Sequence, residues 1–182
     1  MKNKIFISGV QKELKVERRA VKDFILGNPL FRDYFEVFLF EDVPAKSRAS
    51  QDLYLQEAKG SDVYLGIWGD QYGGDGKGKV SPTEAEFREA RKAKKNILVF
   101  IKGADDKARE EGVRNLIAEI KDQARGVIYK RFNDAQELTD LVFDSLWRSS
   151  RNRELWVVEI LMSGFARGRR WLTLMKRRFS GS

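Results

Sequence analysis

The sequence predicts an α/β fold: a parallel sheet of five strands with helices on both faces, followed by a basic C-terminal extension. Three observations carry that expectation. Over residues 1–147, short apolar runs that suit strands alternate with segments of helical periodicity. The run Asn96 to Gly103, with Ile97-Leu98-Val99-Phe100-Ile101 at its centre, is apolar on both sides, as a strand in the middle of a parallel sheet must be. The charge is confined to one end: of the net +8, residues 148–182 carry +7, with nine Arg/Lys against two Glu, which leaves +1 for residues 1–147.

The elements follow in order. Lys4 to Gly9 reads as a buried strand, and Leu14, Val21, Phe24 and Ile25 then recur at helical spacing until Gly27-Asn28-Pro29 ends the helix. Phe35 to Val43 alternates as a second strand whose end carries Glu41 and Asp42. Ser50 to Lys59 suits a short helix, and Asp62 to Gly69 a third strand with Val63, Leu65 and Ile67 on one face. Pro82 to Lys95 forms the third helix and leads into the central strand. A polar helix over Asp105 to Ala124, a strand over Gly126 to Phe132 and a helix over Asp134 to Trp147 complete five β-α units. In such folds ligands bind beyond the C-terminal ends of the strands. That directs attention to Ser8-Gly9, Glu41-Asp42, the segment Gly69 to Ser81, and Lys102-Gly103.

Composition removes much chemistry. With no cysteine there is no disulfide, thiolate metal site or cysteine nucleophile, and with no histidine there is no Ser-His-Asp triad or imidazole ligand. Carboxylates, Tyr, Ser, Lys and Arg remain, and no metal and no cofactor is expected. No run approaches the roughly 20 apolar residues that span a bilayer. The N-terminus lacks the pattern of a signal peptide, so a cytoplasmic location is expected.

The segment Ser81-Pro82-Thr83-Glu84-Ala85-Glu86-Phe87 is the most informative. Ser81 and Glu84 have the spacing of a capping box, with Pro82 at the first helical position, so both are expected to be structural. Glu86 stands in line with Ala90 and Ala93, on the stripe that should face the sheet, where a carboxylate is unusual. It is the candidate nucleophile or acid/base group, expected in the first turn, where the helix dipole would favour the ionised form. The plainer alternative is a surface acid paired with Arg88 or Lys92. Ser8 and Gly9 at the end of the first strand, with Asp62, Trp68, Asp70 and Tyr72 around the third, are candidates for substrate binding: aromatics to stack on a base, acids to hold ribose hydroxyls. Gly73 to Lys79 formally spells G-x-x-x-x-G-K, but Val80 stands where a magnesium-binding Ser/Thr belongs, so a glycine-rich lid is expected instead of a phosphate loop.

The motifs Lys4-Ile5-Phe6-Ile7-Ser8-Gly9-Val10-Gln11-Lys12-Glu13-Leu14, Glu17-Arg18-Arg19, Phe38-Leu39-Phe40-Glu41-Asp42, Tyr64-Leu65-Gly66, Tyr72-Gly73 and Ser81-Pro82-Thr83-Glu84-x-Glu86-Phe87 occur in an order that resembles domain of unknown function 4062. That family is similar to TIR domains and nucleoside 2-deoxyribosyltransferases. The resemblance implies a flavodoxin-like sheet and an N-glycosidic substrate such as NAD or a nucleoside, with a catalytic Glu at the start of the helix before the fourth strand. Glu86 occupies that place. The resemblance also implies a sensor or effector module in signalling or defence, normally fused to or associated with ATPase, helicase-type or repeat domains; a homo-oligomer is a further expectation.

Residues 148–182 mix arginines with Trp156, Trp171 and several aliphatic residues, interrupted by Gly164 and Gly168. Nucleic-acid or membrane-surface binding would suit that mixture. A remnant or altered continuation of a longer protein suits it as well. A protein-interaction module without catalysis is the alternative reading of the domain itself.

Overall fold

Five parallel strands lie in the order β2-β1-β3-β4-β5, with β1 at Asn3–Ser8, β2 at Phe35–Phe38, β3 at Val63–Trp68, β4 at Asn96–Lys102 and β5 at Tyr129–Phe132. This is the flavodoxin-like arrangement, in which strand order reverses between β1 and β3 and leaves a crevice above their C-terminal ends. The computed structural model describes residues 2–43, 50–74, 80–122 and 126–151. The described residues up to Val142 form one compact unit. Among the described residues, no helix is long and apolar enough to cross a membrane.

The helices are α1 (Gln11–Gly27), α2 (Ser50–Gly60), α3 (Pro82–Lys92), α4 (Glu111–Lys121) and α5 (Ala135–Arg151). Alternation along the strands divides the core. Phe6, Tyr64, Trp68, Val99 and Ile101 point to one face and pack with Ala58 of α2, Phe87 and Ala90 of α3, and Val113, Leu116, Ile117 and Ile120 of α4. On that face Phe6 stacks between Phe38 and Tyr64, at 5.6 and 6.2 Å between centroids. Ile5, Ile7, Leu65 and Ile67 are the alternate residues of the same strands, and α1, with Leu14, Val21 and Ile25 buried, packs on β2 and β3. Each fully buried large apolar side chain contributes about 1.5–3 kcal/mol.

Several boundaries differ from expectation for identifiable reasons. β2 stops at Phe38, and Phe40–Asp42 turns into a 3-10 helix instead of extending to Val43. Cations of α1 pull the acids out of line: Arg18 grips Glu41 through two hydrogen bonds of 3.0 and 2.8 Å, while Arg19 and Lys22 hold Asp42. α3 ends at Lys92 because Lys94 adopts a left-handed conformation (φ 53°). The amides of Lys94 and Lys95 bond back to Arg91 and Ala90, which closes a Schellman motif with lysine in the position glycine usually takes. α4 starts at Glu111, six residues after the expected Asp105, and β5 at Tyr129. Residues 105–109 instead form a turn in which Asp105 accepts the Lys107 amide and Arg109 is drawn inward. The glycine-rich segment 75–79 and the tail beyond residue 151 lie outside the described residues, and so do the expectations attached to them.

Candidate functional site

The crevice edge is built first by β1. Its last residue, Ser8, is 1% exposed, and the chain then turns sharply at Gly9 with φ 150°. A Cβ at Gly9 would stand 2.5 Å from the Ile67 carbonyl oxygen, so only glycine lets β1 and β3 lie this close at the turn. The Gly9 carbonyl accepts a hydrogen bond from Arg18, itself 3% exposed. Arg18 thereby ties the β1–α1 turn to Glu41 beyond β2.

Onto this edge α3 brings Glu86. Its N-terminus is capped as the sequence indicates: the Ser81 hydroxyl accepts the Glu84 amide at 3.1 Å, and Pro82 opens the helix. The reciprocal half of the box runs through Tyr72, whose hydroxyl accepts the Ser81 amide at 3.3 Å and donates to Glu84. Glu84 also holds Arg88. Glu86 is the fifth helical residue, one step beyond the first turn, and faces the sheet. It is 6% exposed, and the Ser8 hydroxyl donates to its Oε2 at 2.5 Å. The surface pairing with Arg88 or Lys92 does not form; those cations pair with Glu84 and Glu119, and with Glu89.

Burial decides the electrostatics. Desolvation pushes the Glu86 pKa up to about 7, against the Ser8 hydrogen bond and the charge of Arg18, which both favour the carboxylate. Burial therefore outweighs these groups that favour the ionised form. Two phenols face the same carboxylate. Burial and then the Glu86 charge push Tyr54 of α2 up to about 12, and the same two causes raise Tyr64 of β3. The result is a carboxyl group that is half ionised near neutrality, with Ser8, Arg18, Tyr54 and Tyr64 around it. Such a group can lose or gain a proton under mild conditions, or attack an electrophilic carbon when ionised.

The other expected site residues divide. Asp62 precedes β3, and because all strands run the same way it lies at the edge opposite Glu86, where its carboxylate accepts the Lys4 amide at 2.8 Å. It does not flank the crevice. Trp68 is 3% exposed, with its ring edge-on to Phe87 at 5.2 Å, so its faces belong to the core and do not offer a stacking platform. Tyr72 serves the α3 cap. Asp70 is exposed and accepts from Arg109 at 2.9 Å; its amide and that of Gln71 are held by Glu13. Asp70, Gly69, Glu13, Lys102, Asp105 and Arg109 are among the residues that line a cleft of about 340 Å³ past β3 and β4, and Glu86 is not. The ionic groups there are occupied with one another: Arg109 uses all five N–H directions on Asp106, Asp70 and the carbonyls of Gly69, Lys102 and Asp105, and Lys102 pairs with Glu17.

Three residues around Glu86 are absent from the expected set: Arg18, Tyr54 and Tyr64. Arg18 and Tyr64 lie in the motifs that carry the family resemblance, and that is the available signal. Tyr54 has none, because its place depends on how α2 packs.

The chain aligns with the CMP N-glycosidase BcmB of Clostridium botulinum at 19% identity and a TM-score of 0.47, over 78% of this chain and 98% of that one. No curated protein is significantly similar. The family profile of domain of unknown function DUF4062 matches residues 4–147. A match over so much of the sequence, on the sheet and the helix that carry Glu86, makes the chain a member of the DUF4062 family.

Proposed function

We propose that this domain cleaves the N-glycosidic bond of a nucleoside or nucleotide, NAD included, with Glu86 as nucleophile or electrostatic stabiliser. The observation that carries the reading is the buried Glu86 carboxyl group, bonded to Ser8 at the crevice where strand order reverses. The resemblance to TIR-like domains and deoxyribosyltransferases supplies the reaction class. Its catalytic Glu belongs on the helix before the fourth strand, and α3 precedes β4.

In this reading the bond between the anomeric carbon and the base nitrogen breaks, and its electron pair leaves with the base. The ionised Glu86 either forms a bond to that carbon, which water then displaces as the carboxylate leaves with its electron pair, or faces the carbon's positive charge while water adds; in both cases the water proton passes to the departed base or to solvent. Ser8 holds one carboxylate oxygen in place. The domain would serve as the nucleotide-reading part of a larger sensor or effector protein.

The test is incubation of the purified chain with NAD and a panel of nucleosides and nucleotides, beside Glu86→Gln, with base release followed by chromatography. Release by the parent chain that Glu86→Gln abolishes is the expected result. Release that survives Glu86→Gln would remove Glu86 from the chemistry, and no release from any substrate would favour a non-catalytic interaction module. That second reading has one observation in its favour: Glu86 does not line the 340 Å³ cleft.

A further inference from the structure

Two donors beside Glu86 remain without a role. Tyr64 Oη and Trp68 Nε1 are buried, at 0% and 3% exposure of their residues, and neither has a hydrogen-bond partner of normal geometry among the described residues. An unpaired buried donor carries its full desolvation penalty, so each requires an account. Both lie over Gly66. A Cβ there would stand 3.3 Å from Tyr64 Oη and 3.0 Å from Trp68 Nε1, so the missing side chain is what lets phenol and indole meet above β3. Gly66 is the register partner of Ser8 on β1, and the Ser8 hydroxyl donates to Glu86. Trp68, Tyr64, Ser8 and Glu86 therefore follow one another along one face of the sheet.

The chemistry of these four groups has a direction. An indole N–H can only donate, an ionised carboxylate can only accept, and a hydroxyl does one of each. The sequence consistent with both ends runs from Trp68 to Tyr64, from Tyr64 to Ser8, and from Ser8 to Glu86. We propose that Trp68 and Tyr64 are positioning residues whose hydrogen bonds, passed in one direction, keep the Ser8 hydroxyl pointed at the Glu86 carboxylate. The links from Trp68 to Tyr64 and from Tyr64 to Ser8 form when the side chains tighten slightly from their present geometry. Ser8 and Trp68 are the two side chains that bear on the Tyr64 oxygen as hydrogen-bonding neighbours. The other ionisable groups that bear on Glu86, namely Arg18 of α1 and Tyr54 of α2, stand outside this chain. Its catalytic consequence rests on the proposed role of Glu86, but its existence does not.

The experiment is an NMR titration of the full chain carrying ¹³C-labelled glutamate carboxyls, with the Glu86 signal assigned by its loss in Glu86→Gln. Ser8→Ala should raise the Glu86 midpoint by about one pH unit or more, because the charge-assisted bond is removed directly. Tyr64→Phe, which keeps the ring, should raise it by about half a unit through loss of cooperative strengthening, and Trp68→Phe should move it less in the same direction. In the Ser8→Ala background, Tyr64→Phe should have no further effect. A midpoint unmoved by Tyr64→Phe, or moved equally with and without Ser8, would overturn the proposal. Should Trp68→Phe fold poorly, the Tyr64–Ser8 cycle decides alone. Since no substrate is used, absence of base release would count against the glycosidase reading and leave this one standing, and an unmoved midpoint would overturn this one and leave that reading standing.

Discussion

Two regions of this molecule treat a carboxylic acid in opposite ways. At the β1/β3 crevice, burial lifts Glu86 to about 7, and only a serine hydroxyl and one arginine oppose it. In the β4–α4 turn, burial also pushes Asp106 up, but Lys121, Arg131 and Arg109 bond to it directly and hold it well below the usual carboxylate range. The difference lies in where the cations spend their charge. Arg18 stands near Glu86 but is committed to Glu41 and the Gly9 carbonyl. Arg109 is committed to Asp106 and, through it and the loop carbonyls, to closing the turn. One arrangement leaves a proton easy to exchange, whereas the other locks a loop.

Breaking the second arrangement should cost most. Arg109→Met would leave the Gly69, Lys102 and Asp105 carbonyls without their donor and Asp106 with only Lys121 and Arg131, for a loss of about 3–5 kcal/mol and a melting temperature lower by roughly 10 °C in calorimetry. The opposite sign is expected at the crevice. Glu86 has a raised pKa, so the folded state binds a proton more tightly than the unfolded chain between the ordinary value of 4.5 and about 7. Stability contributed by that proton is present at low pH and lost as pH rises through this window. Glu86→Gln should therefore stabilise the protein at pH 8 by up to about 3 kcal/mol, with the gain fading by pH 4.5 in denaturant melts. A Glu86→Gln protein that is less stable at pH 8 would contradict the burial argument.

Activity offers a smaller and sharper test. If the ionised form of Glu86 is the working one, base release should decline as pH falls through about 7, by roughly tenfold per unit below it. A flat profile down to pH 5 would separate the reaction from Glu86 ionisation. The smallest effect is expected at the cap. Ser81→Ala should lose about 1 kcal/mol in denaturant melts and leave the Glu86 titration in place, since the cap supports α3 locally while the pKa comes from burial.

Much of this was legible in the residues themselves. Pro82 after Ser81 marked the start of α3, and a glutamate in line with Ala90 marked an unusual carboxylate on the buried stripe. The places of Asp62 and Trp68 were harder to read. Asp62 was grouped with Asp70 by closeness in sequence, although a strand of six residues stands between them and puts them at opposite edges of the sheet. Trp68 and Tyr64 look alike as strand aromatics, and only packing shows that their polar atoms meet over Gly66.

Periodicity, caps and turns arise from interactions among residues a few positions apart, so the sequence by itself determined the succession of strands and helices, the α/β class and the start of α3. The strand order, and with it the bond between Ser8 and Glu86 across 78 positions, was decided by the tertiary structure. So was the ionisation of Glu86, because desolvation depends on everything packed around the carboxyl group, and no local stretch of sequence contains that information.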